Sequence, residues 1–117
     1  MGLLGAGGLP AWTVAAPRAS GDTARWLDAL CHVDADLLRL GRDYLRKRPE
    51  EAKLAYLAQA VCGDTPREDI ARLRAQVREK IHQDFSDGRV VRLQGWLLSC
   101  TEARLYALVT LVHTGTS

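Results

Sequence analysis

The sequence predicts an all-α protein, an irregular four-helix bundle with a short extended segment or hairpin before the last helix. Three observations support this class. Apolar residues recur at spacings of three and four along most of the chain. Capping residues, prolines and glycines divide the chain into segments of helical length. Aromatic residues make up only 6% of the 117 residues, which leaves Leu and Ala, both good helix formers, to build the core together with Val.

The chain is predicted to divide into an N-terminal segment, residues 1–21, and a single helical domain, residues 22–117. Residues 2–16 are apolar and rich in Gly and Ala, as in the middle and end of a secretory signal, yet no Lys or Arg precedes Arg18. If the natural start lies upstream, this segment is the weakly hydrophobic part of a twin-arginine signal, and we expect a periplasmic or secreted protein. Otherwise it is a flexible Gly-rich tail and the protein is cytoplasmic.

The first predicted helix begins at Asp22 or Thr23, which are suitable N-caps, and runs to about Arg48. Gly41 weakens the middle of this helix by about 1 kcal/mol relative to Ala, so we expect a bend or a close helix crossing there. The large apolar side chains of its buried face lie three and four residues apart: Trp26, Leu30, Val33, Leu37, Leu40 and Tyr44.

Proline and capping signals predict two further helices. Pro49 suits the first turn of a helix that runs to Cys62 and stops at Gly63. Thr65 then caps a third helix, with a proline at its first position and a glutamate three residues after the cap. This third helix ends at residues 87–88. Its predicted buried face carries Ile70, Leu73, Val77, Ile81 and Phe85.

Residues 89–98 differ in character, because they contain the β-branched pair Val90 and Val91, partly alternate in polarity and are broken by Gly95. They predict a short hairpin or one bent extended segment packed over the helices. Ser99 and Glu102 then form a capping box, the reciprocal pair of hydrogen bonds that starts many helices. The last predicted helix covers residues 100–113.

Composition argues against two classes of function. The 16 basic and 14 acidic residues are interspersed and leave a net charge of +2, whereas nucleic-acid-binding proteins usually concentrate positive charge. A nucleic-acid-binding module is therefore only a further alternative, based on the basic residues within 39–53. No apolar run approaches the roughly 20 residues needed to cross a bilayer, so we expect no membrane span.

Asp28, His32 and Asp36 could hold a metal ion, because their four-residue spacing would place them on one side of the first predicted helix. The same spacing is typical of the solvated face of an amphipathic helix, and the sequence indicates no fourth ligand. A small metal- or ligand-binding enzyme that uses this face is the alternative hypothesis. The leading prediction contains no catalytic, cofactor-binding or metal-binding residue and no cofactor.

The three cysteines, Cys31, Cys62 and Cys100, form no C-x-x-C pair. In an oxidising compartment, Cys31 and Cys62 could form a bridge between neighbouring helices. The interpretation that all three are small buried hydrophobes is favoured, because unpaired cysteine is among the most buried residue types.

Trp96, Leu97 and Leu98 are the predicted partner-binding residues. A large indole beside a glycine and two leucines can either plug the helical core or present an apolar patch to a partner. Filling the core is the favoured interpretation for the indole itself, because a small bundle that is poor in aromatic residues needs large side chains to reach native density.

The sequence around Trp96 also resembles a known group of proteins. Residues 84–89 carry the pattern D-F-x-x-G-R, and residues 95–103 carry G-W-x-L-S-x-T-E-A. These patterns resemble the C-terminal half of small, poorly characterised bacterial proteins, often with twin-arginine signals and sometimes associated with exported oxidoreductases. The resemblance implies a small exported accessory subunit without its own cofactor. Because the sequence also shows no catalytic constellation, we predict a protein that is not an enzyme and that binds a larger subunit, such as an exported oxidoreductase.

Overall fold

The part of the chain that is described, residues 21–114 of a computed structural model, is mainly helical. It contains five α-helices and a two-stranded antiparallel β-hairpin that directly precedes the last helix. This confirms the predicted mainly-α class. The sequence predicted either a hairpin or one bent extended segment before the last helix, and the structure shows the hairpin. The predicted N-terminal segment lies outside the described residues, apart from Gly21. The elements are α1 (Gly21–Leu30), α2 (Ala35–Lys47), a 3₁₀ turn (Pro49–Glu51), α3 (Leu54–Cys62), α4 (Ile70–Asp87), β1 (Val90–Leu93), β2 (Trp96–Ser99) and α5 (Cys100–Thr114).

The first predicted helix is two helices in the structure, so the prediction of one continuous helix to Arg48 is wrong. Helix α1 ends at Leu30, and Asp34 has an extended backbone with φ −140° and ψ 179°. Its Oδ1 accepts a hydrogen bond from the Leu37 amide at 2.8 Å, which makes Asp34 the N-cap of α2. The apolar spacing continues through the break, and for that reason periodicity alone does not reveal it.

The starts of α3 and α4 also differ from the predicted positions. Pro49 opens a single 3₁₀ turn, and α3 begins only at Leu54. The predicted capping box at Thr65 lies in a turn, and α4 begins after Asp69, whose Oδ1 accepts from the Arg72 amide at 3.2 Å. Thr65 and Asp69 can both cap a helix, and local signals do not choose between them.

Helix α5 is the centre of the fold, because it packs against the other four described helices and both strands. Most of its side chains between Thr101 and Leu111 are buried. Where α2 crosses it, a Cβ added to Gly41 would lie 2.2 Å from Thr110 Oγ1 and 2.4 Å from the Tyr106 carbonyl oxygen. Only glycine fits so close an approach, which confirms the close helix crossing that the sequence predicts at this position.

The longest described helix is α4, with 18 residues, and it exposes many charged side chains. Across residues 21–114, no helix combines the length with the apolar character that crossing a bilayer requires.

Candidate functional site

The β-hairpin presents the candidate site next to its turn. Leu93 of β1 lies opposite Trp96 of β2, so Gln94 and Gly95 form a two-residue turn. Both turn residues have positive φ, 52° at Gln94 and 84° at Gly95, as in type I′ hairpin turns. Glycine adopts such an angle without steric cost, so this turn sets the register and places Trp96 directly after it.

Trp96 is exposed, so the interpretation that the indole plugs the core is wrong. Its relative exposure is 64% and that of Leu97 is 50%, whereas Leu98 is only 7% exposed. Trp96 is the cross-strand partner of Leu93 and therefore shares its face of the hairpin. Leu93 is fully buried and takes the core position at the turn end of the hairpin, whereas the indole of Trp96 remains at the surface.

Trp96 and Leu97 line a surface groove of about 580 Å³ between α2, the hairpin, the end of α4 and the start of α5. Phe85 lines it as well and is 46% exposed. These three exposed side chains and the buried leucines beneath them define the aromatic groove. Its apolar floor consists of Leu37, Leu40 and Leu98.

Phe85 was expected on the buried face of the third helix, and that prediction is wrong. In the last turn of α4 the buried position belongs to Asp84, which is 5% exposed. Asp84 faces inward because its carboxylate is hydrogen-bonded to the start of α5. The partners of one polar side chain, and not the apolar periodicity, thus determine which side of this turn is buried.

Asp84 belongs to a cluster that joins the end of α4 to the start of α5. This capped corner consists of Asp84, Arg89, Ser99, Thr101 and Glu102. Asp84 Oδ2 accepts a hydrogen bond from the Thr101 amide at 2.8 Å, and its Oδ1 accepts one from Arg89 Nε at 3.1 Å. Burial opposes ionisation of Asp84, but the hydrogen bonds from Thr101 and Arg89 outweigh it and hold the pKa of this carboxyl below its usual range.

The predicted capping box at Ser99 and Glu102 is confirmed. The Glu102 amide donates to Ser99 Oγ at 2.9 Å, and the Ser99 amide donates to Glu102 Oε1 at 2.9 Å. Ser99 is fully buried. The capped corner therefore attaches the hairpin to the helices immediately after the exposed residues Trp96 and Leu97.

Polar side chains surround the apolar floor of the aromatic groove. Asp34, Asp36 and Glu102 contribute carboxylates, and His32 and Arg39 also line it. Asp36 forms an ion pair with Arg39, three residues later on α2. Asp34 and Glu102 cap α2 and α5, so the groove lies at the N-terminal ends of two helices, where negative charge is favoured.

The predicted face of Asp28, His32 and Asp36 does not form, because the helix break separates its members. Asp28 lies in α1, His32 in the connection and Asp36 in α2. His32 and Asp36 both line the aromatic groove, and Asp28 does not. Within the described range, no three His, Cys, Asp or Glu side chains are grouped so that they could hold a metal ion.

The basic residues at the end of α2 are paired with carboxylates. Arg46 and Lys47 approach Asp43 at 2.5 Å and 3.7 Å, and Arg48 lies 4.0 Å from Glu51. A nucleic-acid phosphate would have to compete with these carboxylates for the same cations. The arrangement therefore provides no specific support for a nucleic-acid surface.

A second buried carboxylate, Glu51, ties α2 to α5. Glu51 Oε1 accepts hydrogen bonds from the Tyr44 hydroxyl at 2.8 Å and from Arg104 Nε at 3.0 Å. Burial opposes ionisation of Glu51, but the bonds from Arg104 and Tyr44 keep its pKa below the usual range. Burial and the bond to Glu51 raise the pKa of Tyr44 to about 12. None of these three residues lines the aromatic groove, so we assign them to packing.

The cysteines, all within the described range, are unpaired thiols, so the bridge between Cys31 and Cys62 that the sequence left open is not formed. Burial, with a smaller contribution from Asp28, raises the pKa of the Cys31 thiol to about 11. Burial also raises the pKa of the Cys62 thiol. Both thiols are therefore protonated near neutral pH and are weak nucleophiles.

The sequence located Trp96, Leu97 and Leu98 at the site but missed Phe85. No local signal could have identified it, because the contact that turns Asp84 inward and Phe85 outward is made with Thr101, 17 residues away. No family model matches this chain, and the comparisons with curated proteins and with solved structures also give no match.

Proposed function

We propose that this chain is a non-catalytic accessory protein that binds a larger protein through the aromatic groove. The observation that carries the proposal is the exposure of three large apolar side chains around one groove: Trp96 at 64%, Leu97 at 50% and Phe85 at 46%. Their contact with water is unfavourable, and a partner's surface would remove it on binding. Trp96 is the proposed anchor, because tryptophan is enriched among the residues that dominate binding energy.

The two leucines have different roles in this proposal. Leu97 extends the exposed rim beside Trp96, whereas Leu98 belongs to the buried floor. Trp96 and Leu97 would therefore contact the partner directly. Leu98 would support the surface on which the partner's side chains pack.

The capped corner supports the proposal because its hydrogen bonds attach the hairpin to the helices beside the groove. Asp84 and the Ser99–Glu102 box bind the hairpin to α4 and α5 on the carboxyl side of Trp96. A site that is formed before binding loses less conformational entropy when the partner arrives. The irregular helical bundle would then serve as the frame for the groove and need no reactive group of its own.

The nature of the partner is proposed from the sequence patterns of residues 84–103. Their resemblance to exported accessory proteins implies a larger subunit of an exported oxidoreductase, with this chain in the periplasm. Export by this route would require a twin-arginine signal, and the proposal for such a signal is based on residues 1–21. The groove supports a protein partner independently of that resemblance.

Co-purification from the native host tests the proposal. Tagged wild-type, Trp96→Ala and Tyr56→Ala chains are expressed at equal levels, and captured proteins are identified by mass spectrometry. Tyr56 is the matched control, because it is an aromatic residue of 44% exposure that does not line the groove. We expect the wild type and Tyr56→Ala to retain one larger protein in stoichiometric amount, and Trp96→Ala to lose it.

The captured protein is then purified and recombined with each variant in a calorimeter. We expect Trp96→Ala to weaken the affinity by about 30-fold, the loss typical of a hot-spot residue. The proposal fails if the wild-type chain purifies alone, or if the partner binds all three chains equally.

A further inference from the structure

Charge distinguishes the aromatic groove from the rest of the molecule. Among the described residues that line it, three are carboxylates and one is a guanidinium, a local charge of −2 with His32 neutral. The whole chain, in contrast, carries +2. Arg39, the guanidinium in question, is already paired with Asp36. The groove is therefore an acidic surface on a chain that is basic overall.

The carboxylates of the groove retain capacity to accept further hydrogen bonds. Asp34 and Glu102 each use one oxygen to cap a helix, and Asp36 uses one for its ion pair with Arg39. A carboxylate has two oxygens and can accept several donors, so each can take a further partner. The side chain of Asp36 is 76% exposed, which leaves it open to a donor from another molecule.

We propose that the occupant of the aromatic groove is a basic amphipathic segment of the partner protein. This inference rests on the proposed function and specifies the chemistry of the partner. Apolar side chains of the segment would pack on the leucine floor and against the Trp96 indole. Its Lys or Arg side chains would pair with the three carboxylates, and the exposed indole face offers an additional cation–π contact.

The same charges disfavour two other occupants. An acidic segment would bring like charge against Asp34, Asp36 and Glu102. A second copy of this chain, related by a two-fold axis through the groove, would bring two acidic grooves together with the same result. A basic segment is the occupant that satisfies both the apolar floor and the carboxylate rim.

Two synthetic peptides provide the first test with the purified full chain. Each has about 14 residues, roughly four helical turns, with Leu and Phe at positions i, i+3, i+4 and i+7. The remaining positions are Lys and Arg in one peptide and Glu in the other. Fluorescence anisotropy of the labelled peptides should show that the basic peptide binds at least about tenfold more tightly at low salt, and that added salt reduces the difference.

A pair of charge-reversal variants identifies the site. Asp36→Lys removes a carboxylate from the groove, whereas Glu79→Lys makes the same change in net charge at an exposed position of α4 that does not line the groove. We expect Asp36→Lys to weaken basic-peptide binding about three- to tenfold and Glu79→Lys to leave it within about twofold. Trp96→Ala should also abolish most of the binding. Circular dichroism verifies that each variant is folded.

Each remaining outcome overturns the inference. Equal, Trp96-dependent binding of both peptides would refute the basic partner but leave the docking function in place. If Trp96→Ala and Asp36→Lys bind the basic peptide as tightly as the wild type, the binding is non-specific electrostatic attraction. A Trp96-dependent dimer in analytical ultracentrifugation would assign the groove to a second copy. Absence of peptide binding refutes the basic segment, whereas the proposed function itself fails only in the co-purification experiment.

Discussion

Asp84 and Phe85 are consecutive residues in the last turn of α4, yet Asp84 is buried with both carboxylate oxygens hydrogen-bonded, and Phe85 is exposed. The hairpin repeats this contrast, because Trp96 is exposed and Ser99, three residues later, is buried in a helix cap. For these four residues of the capped corner and the aromatic groove, burial is thus the reverse of what side-chain polarity alone would predict.

Neighbouring residues of one short stretch therefore serve different purposes, some the stability of the fold and others the proposed binding of a partner. Asp84, Ser99 and Thr101 of the capped corner are buried with hydrogen bonds to their neighbours, so they contribute to stability. The exposed apolar residues of the aromatic groove, Phe85, Trp96 and Leu97, gain little from the fold at their observed exposure. Substitutions of the buried corner residues should therefore lower the unfolding free energy, whereas substitutions of these exposed residues should lower partner affinity.

Among substitutions in the capped corner and the aromatic groove, the largest effect on stability is expected from Asp84→Ala. It leaves the Thr101 amide without its acceptor and removes the carboxylate that Arg89 binds. We expect the unfolding free energy in urea titrations to fall by about 2 to 3 kcal/mol. Asp87→Ala is the control, because Asp87 pairs with the same Arg89 at 2.8 Å but is exposed. An equal loss in both variants would show that burial of Asp84 is unimportant.

Acid should reproduce part of this loss, because the pKa of Asp84 and the pKa of Glu51 both lie below their usual range in the folded protein. The unfolded chain has ordinary carboxyl pKa values, about 3.9 for Asp and 4.3 for Glu, so it takes up protons first as the pH falls. The unfolding free energy should be level above about pH 5 and decline below it until the folded pKa values are passed.

Urea titrations at a series of pH values measure this decline. Asp84→Asn should make it shallower, because the variant has no carboxyl to protonate at that position. A decline of the same steepness in both proteins would contradict the assignment to Asp84.

A smaller effect is expected from Ser99→Ala, which removes one side-chain cap but leaves Asp84 to bind the start of α5. The loss of unfolding free energy should be about 1 kcal/mol. Ser86→Ala, at an exposed serine near the end of α4, should change stability by less than about 0.5 kcal/mol. If the two serine variants are equally stable, the capping box contributes nothing measurable.

The smallest effect on folding is expected from Trp96→Ala. At 64% exposure the indole buries little surface, so the unfolding free energy should stay within about 0.5 kcal/mol of the wild type. Trp26→Ala is the contrasting variant, because Trp26 is 5% exposed and its loss from the core should cost about 3 kcal/mol. A large loss of stability in Trp96→Ala would remove the separation between the corner and the groove.

Features whose partners lie close together in the sequence could be predicted from it. The Ser99–Glu102 box and the helix end at Gly88 involve residues a few positions apart, so the local sequence contains both members of each contact. Gly41 could also be flagged, because glycine in a helix is unfavourable unless something requires it. The N-cap Asp34 was missed although its partner Leu37 is local, since an uninterrupted apolar spacing concealed the start of a new helix.

Periodicity and capping within one turn are local, and they were sufficient to predict the mainly helical class, an extended segment or hairpin before the last helix, and the start of that helix. The burial of Asp84 and the exposure of Phe85 and Trp96 around one groove, in contrast, follow from contacts between distant parts of the chain. Asp84 accepts a hydrogen bond from the amide of Thr101, 17 residues later in the chain, and Gly41 of α2 lies against Thr110 of α5. Exposure depends on which distant elements pack together, and no local pattern contains that information.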